Sequence, residues 1–317
     1  MPAESLPGQM RSAATALLAS LDGPQRDLAE RSFADHAARR WLEYRPRARP
    51  GACLAGLDPA ARKAAHRLLA TALSDHAYAQ AMAIIALEEV LDRREGWRRG
   101  RHSGDYWVAV FGDPAADEPW SWRFEGHHLS VTMTVAGDQV SPAPVFLGAN
   151  PARVSYAGRA LSQPLAAEED LARALLDALG PAGRAIAVVS DRAPADIRTG
   201  TRPRAEERIE PAGIAAGSLG PTARAALVQL VALYLDRLPA SLAASEAARV
   251  TAAELRFAWE GPTVPGRPHY YRVQGDDLLI EYDNTSSDGN HAHTVLRRPR
   301  SDFGDDVLAE HYRQAHA

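Results

Sequence analysis

Two short stretches of the chain crowd together side chains that bind metals and move protons. One reads Leu-Leu-Ile-Glu-Tyr-Asp from Leu278 to Asp283, then Asn-Thr-Ser-Ser-Asp-Gly-Asn, then His-Ala-His from His291 to His293. Its first arm alternates Leu278, Ile280 and Tyr282 with Glu281 and Asp283, the period of a half-buried strand. Asn284 to Asn290 supplies the turn formers of a hairpin loop. On the return strand His291, His293 and Val295 share one face. The simplest register sets Asp283 opposite His291 and Glu281 opposite His293. Directly opposed residues stand about 5 Å apart at Cβ, so these four tips can meet at one ion with bonds of roughly 2.0–2.2 Å. The same residues also allow a plain cross-strand ion pair on a wet sheet face.

The second stretch is Arg123-Phe124-Glu125-Gly126-His127-His128. Upstream, Trp120, Trp122 and Phe124 are the bulky apolar positions, whereas downstream Leu129, Val131, Met133 and Val135 alternate with Ser130, Thr132 and Thr134. The two runs have opposite parity, which predicts a kink or bulge near Gly126 that re-aims the neighbouring side chains. Taken together, His291, His293 and one of His127 or His128 are the expected metal ligands, with Glu281 as an additional one. Zinc, iron, manganese and copper all suit such a set, and residue type does not rank them.

Three functions are compatible with that set. The leading expectation is a metal-dependent hydrolytic enzyme acting on a small molecule: the metal activates water, Glu125 or Asp283 is the general base, and Arg123 orients an anionic substrate or an acid. An iron or copper oxidoreductase with open coordination positions is the second. The third is a non-catalytic protein that captures a small ligand or the metal itself.

Composition narrows the setting. The chain has 317 residues, 46% hydrophobic and 24% charged, with a formal net charge of -4, which offers no global attraction to nucleic acid or to an anionic membrane. Its one cysteine, Cys53, excludes an internal disulfide or a cysteine-rich cluster, so any metal must rest on histidine and carboxylate. No apolar run approaches the roughly 18 residues of a membrane span. The stretch Ala13 to Leu21 lacks the basic leader of a secretory signal, and the expected location is the cytoplasm. The run Arg93 to His102 holds five arginines and a tryptophan; a charged loop after a helix C-terminus accounts for it better than nucleic-acid binding does. No Gly-x-Ser-x-Gly, Walker or Gly-x-Gly-x-x-Gly pattern is present, and Asp302-Phe303-Gly304 lacks the companion motifs of a kinase.

The elements that must position these residues form an α+β fold. Residues 1–104 read as a helical layer: Asp58 is an N-cap with Pro59 at N1, and Ala65, Leu68, Leu69 and Leu73 make a buried stripe. Residues 105–317 read as a mainly antiparallel sheet with inserted helices and a final helix after Gly304 that carries His311, all within one globular domain. Between the sheet halves, Glu168 to Leu179 and Pro221 to Leu238 are helical, Ser241 to Phe257 is a helical pair, Ala185 to Val189 is a short strand, and Gly148 to Pro151 is a tight turn. Asp191 to Gly217 reads as a lid that brings Arg198 or Arg202 to an anionic group.

The segments Trp120 to Val131, Phe146 to Val154, Pro268 to Gly275, Leu279 to Val295 and Asp302 to Tyr312 together resemble a bacterial family of unknown function, numbered three thousand five hundred in its series. The resemblance covers nearly the whole chain. It implies no reaction, but it does imply that the Glu-Gly-His-His and Asn-His-x-His segments belong to one architecture.

Overall fold

The computed structural model describes residues 4–100 and 102–315; Arg101, in the arginine-rich run, lies outside them. Eight strands carry the sheet: β1 Tyr106–Phe111, β2 Trp120–Gly126, β3 Leu129–Ala136, β4 Val145–Ala149, β5 Arg256–Glu260, β6 Tyr270–Gln274, β7 Leu279–Ser286 and β8 His291–Arg297. Their order is β1-β2-β3-β4-β8-β7-β6-β5, antiparallel throughout, with short strands extending the edges. The expected mixed architecture with N-terminal helices on a mainly antiparallel sheet is what the chain adopts.

That order is two meanders, β1 to β4 and β5 to β8, joined through their last strands. Each meander is preceded by a similar series of elements, except that the short α3 of the first half has no counterpart in the second. In the first half these are α1 (Leu6–Ser20), α2 (Gly23–Ala29) and α3 (His36–Arg39), then α4 (Pro59–Ala72) and α5 (Asp75–Arg94); in the second, α6 (Ala166–Ala178), α7 (Gly180–Ala187), α8 (Pro221–Leu235) and α9 (Ala240–Arg249). Short strands repeat as well: Glu30–Arg31 lies parallel to β1 as Val188–Ser190 does to β5, and Ala52–Cys53 lies antiparallel to β1 as Ile214–Ala215 does to β5. Sequence echoes this duplication, because Pro119, Arg123, Gly126 and Leu129 occupy the places of Pro268, Arg272, Gly275 and Leu278.

The two sheet faces differ in kind. Trp122, Phe124, Val131, Leu147, Ile280 and Leu296 point to the helices and join Leu17, Leu68, Leu175 and Leu230 in the main core. Capping fixes where those helices begin: the Asp58 side chain accepts from Ala61 N at 2.8 Å, with Pro59 in the first turn. On the other face lie buried polar residues, among them Arg123, Glu125, Glu281, Asp283 and His293. Two equivalent loops cover them, residues 32–51 from the first half and residues 191–213 from the second. A buried polar face requires hydrogen-bond partners, and the loops supply them. Glu125 accepts from Glu43 N at 2.9 Å, and in the second half Gln274, which takes its place, accepts from Ile209 N at 2.9 Å.

Several expectations are corrected. The parity change near Gly126 is no bulge: His127 and His128 form a two-residue turn between β2 and β3, Gly126 pairs with Leu129, and both runs of bulky residues then face the helices. Helix α7 runs to Ala187, leaving Val188–Ser190 as the strand. Gly148 and Ala149 belong to β4, and Phe257 to β5. The 191–213 segment packs as a cover on the sheet, with its own Ile197 and Thr199 buried. Arg198 pairs with Glu260 at 2.5 Å, and Arg202 bonds Glu206 and the carbonyls of Arg198 and Thr199.

Glu281 fastens this cover. Its buried carboxylate accepts from Arg198 N at 2.6 Å, Tyr270 OH at 2.9 Å, and Thr199 through both N and Oγ1. Leaving these donors without an acceptor costs about 1–3 kcal/mol each. Glu281→Ala should therefore lower stability by roughly 3 kcal/mol or more and raise amide exchange in residues 197–205, with Glu281→Gln milder on both counts. Denaturant titration and hydrogen exchange test this; unchanged exchange in that segment would contradict the assignment.

Candidate metal centre

The turn between β2 and β3 holds His128 in the left-handed region at φ 62°, an uncommon conformation for a residue with a Cβ. Its backbone is tied on both sides: His128 N donates to Tyr44 O at 3.0 Å, and Gly148 N donates to His128 O at 2.7 Å. Gly148 in turn pairs with His293, and His293 with Asp283. One row across the sheet thus reads His128, Gly148, His293, Asp283. A side chain at Gly148 would fill the space between the rings, since a Cβ there would lie 2.8 Å from His128 Cδ2 and 3.1 Å from His293 Cδ2. Strand alternation puts His291 on the same face as His293.

The three imidazoles converge through one kind of atom. His291 Nε2 lies 2.8 Å from His128 Nε2 and 3.0 Å from His293 Nε2. A neutral ring nitrogen has either one hydrogen or one lone pair, so His291 Nε2 cannot make a full hydrogen bond to both neighbours. A cation accepts a lone pair from each. Tetrahedral Zn–N bonds of about 2.0–2.1 Å correspond to nitrogens roughly 3.3 Å apart, a few tenths of an ångström wider than these contacts.

The far side of His293 is equally defined. Its Nδ1 lies 2.8 Å from Asp196 Oδ1 and 3.3 Å from Asp283 Oδ2. Tyr44 OH donates to Asp196 Oδ2 at 2.8 Å, and the Tyr44 ring stacks on Phe146 with centroids 4.2 Å apart. A carboxylate on the outer nitrogen orients an imidazole and strengthens its ligating nitrogen. Burial alone would lower the His293 pKa, but hydrogen bonds and charge from Asp196 and Asp283 outweigh it and raise it to about 9. Burial and the neighbouring acids push the Tyr44 hydroxyl upward, keeping it a donor.

The family model described as Protein of unknown function (DUF3500) matches residues 4–305. The chain belongs to the DUF3500 family. No curated protein and no solved structure matches it.

In this DUF3500 protein the expected residues divide into those the fold gathers and those it separates. Three overlapping groups of potential ligands lie among the described residues: His128, His291 and His293; Asp196, Asp283 and His293; and Glu88, His127 and His128. The hairpin register differs from the simplest one by two residues: Asp283 faces His293, Glu281 faces Val295, and Ser286 faces His291, with an irregularity between Asp283 and Ser286. An even shift preserves the faces but exchanges the neighbours. Glu281 is therefore spent on the cover, and it joins no ligand group among the described residues. Glu125 and Glu281 share a row with Ser130, Phe146 and Val295 between them, four strand spacings or about 19 Å apart. They cannot serve one ion.

Arg123 is buried, donates to Ala38 O at 2.6 Å and lies 3.5 Å from Glu125. Both residues anchor the first loop. His127 turns away from the trio to Glu88, with Nδ1 2.5 Å from the carboxylate, while its ring stacks on His128 at 3.7 Å. His311 is on the C-terminal helix α10 (Asp305–Ala315), outside every ligand group among the described residues. Sequence reasoning missed Tyr44, Glu88, Gly148 and Asp196. Each sits in an element whose local pattern reports turn, loop or helix; Glu88 gains its role from His127 within the first half, and the other three from the meeting of the two halves.

The raised His293 pKa has a linkage consequence in the metal-free protein. Folded His293 titrates near 9 against an ordinary value of 6.5, so its stabilisation is fully present below 6.5 and is lost as pH rises through 9. Chelated protein should lose a few kcal/mol of unfolding free energy across that window, and His293→Gln should flatten the dependence. Denaturant midpoints measured from pH 6 to 9.5 check it; parallel profiles for the two proteins would contradict it.

Proposed function

We propose that this DUF3500 protein is a metal-dependent enzyme acting on a small molecule, with His128, His291 and His293 as the protein ligands and hydrolysis as its reaction class. The observation that carries this reading is the meeting of three Nε2 atoms at 2.8 and 3.0 Å, one ring being supported from behind by Asp196 and Asp283. Three nitrogen ligands leave a tetrahedral ion one position for water, the arrangement of catalytic rather than structural sites. A divalent metal bound there would supply Lewis acidity and a water of lowered pKa.

The chain's own residues account for the rest. Gly148 admits both flanking rings, Tyr44 holds Asp196, and Asp283 accepts from Thr285 N and Oγ1 through Oδ1 at 3.1 and 2.9 Å while its Oδ2 faces His293 Nδ1 at 3.3 Å. Asp196 is the carboxylate with access to solvent, its side chain 41% exposed. It lies behind His293, with His293 Nδ1, Tyr44 OH and Ile197 N on its two oxygens, so its part is to orient that ligand. Zinc or manganese fits this chemistry. Iron or copper accompanied by oxygen uptake would shift the reading to oxidation, and metal retention without turnover to ligand capture.

The test uses protein purified without an affinity tag. It should contain about one equivalent of a single transition metal and turn over members of a panel of small esters, amides and phosphoesters. His291→Ala should lose both metal and turnover, and Asp196→Asn should weaken metal binding roughly 10- to 100-fold. Turnover that survives His291→Ala would refute the proposed site.

A further inference from the structure

A cavity of about 590 Å³ lies between the first-half loop, at residues 36–47, and the second-half loop, at residues 201–204. Its volume is in the range that small ligands fill, and junctions between repeated halves are common ligand sites. The wall carries Arg40, Arg45, Arg47 and Arg204, and one acid, Glu43.

Charge in this wall is not balanced. Glu43 serves two guanidiniums, Arg45 at 2.8 Å and Arg47 at 3.1 Å. Arg40 is matched by Asp305, outside the wall, through a two-pronged contact at 2.5 and 2.8 Å. Arg204 is exposed and makes no hydrogen bond or ion pair among the described residues. Four cations against two carboxylates leave an excess of two positive charges. Trp41 adds a second, independent feature: its buried indole N–H has no acceptor, and the Arg47 guanidinium lies 5.6 Å from its ring centroid. An unpartnered donor among surplus guanidiniums matches an acceptor-rich anion.

We propose that this cavity binds a small anion of two or more negative charges, a phosphoryl or polycarboxylate compound, held by Arg45 and Arg47 from one half and Arg204 from the other. Such an anion crosslinks the two loops that hold Tyr44 and Asp196, respectively five or fewer residues from Arg47 and Thr201 along the chain. Its recognition does not depend on the metal reading.

The experiment is calorimetric titration of the full, chelator-treated chain at low ionic strength, with inorganic pyrophosphate in one series and citrate in the other. One equivalent of at least one anion should bind, with affinity falling as salt rises. The stronger of the two identifies the phosphoryl or carboxylate source. Arg204→Glu should abolish binding and Trp41→Phe should weaken it by roughly tenfold. Arg204 is exposed, so its replacement leaves the fold intact, which circular dichroism verifies. No binding of either anion at millimolar concentration, or equal affinity in wild type and Arg204→Glu, would overturn the proposal.

Discussion

The pairing of β4 with β8 is the contact on which the rest of the structure depends. Among the described residues it is the one ladder that joins the two meanders, and it sets Gly148 beside His293 and Phe146 beside Val295. Because β3 pairs with β4 from the other side, His128 reaches the same row. A group of potential ligands is thereby assembled from both halves: His128 from the first turn, His291 and His293 from the last strand. A one-residue slip of this ladder would send the histidines to the helix face and leave the site without ligands. The absent Cβ at Gly148 matters for the same reason, since the seam is where the rings are closest.

Around the seam, buried charge acts mainly as a fastener. Arg123 and Arg272 occupy equivalent places in the two meanders, and both tie loop carbonyls to the sheet; Arg272 also pairs with Glu260 at 2.6 Å. Breaking such a buried group from its partners is strongly unfavourable, so the loops remain in place as covers and hold Tyr44 and Asp196 against His293. The second-half turn equivalent to His127-His128 is Asp276-Asp277, whose Asp277 binds Arg298 at 3.0 Å. One half thus uses its turn for imidazoles at the seam, and the other uses it to build an ion pair.

Much of the fold was legible from the sequence because its signals are local. The Asp58-Pro59 start, the apolar stripe of α4 and the alternation along β3, β7 and β8 depend on neighbours within a few residues. Strand alternation also placed His291, His293 and Asp283 on one face. What was not legible depends on distance in the chain. The hairpin register turned on an irregularity between Asp283 and Ser286, the parity change at Gly126 was a chain reversal, and Glu125 and Glu281 could not be recognised as loop anchors without the loops. The duplication had a visible trace in Pro119-x-x-x-Arg123-x-x-Gly126 and Pro268-x-x-x-Arg272-x-x-Gly275. Comparing those segments would have indicated that the two arginines share a structural role.

The central claim is that His128, His291 and His293 hold one metal ion. X-ray absorption spectroscopy on untagged protein, at the edge of whichever metal elemental analysis finds, addresses it directly. The account predicts about three nitrogen neighbours near 2.0–2.1 Å for zinc, with the outer-shell scattering of imidazole rings. An absorber surrounded only by oxygen, or no metal above background even after reconstitution, would contradict it.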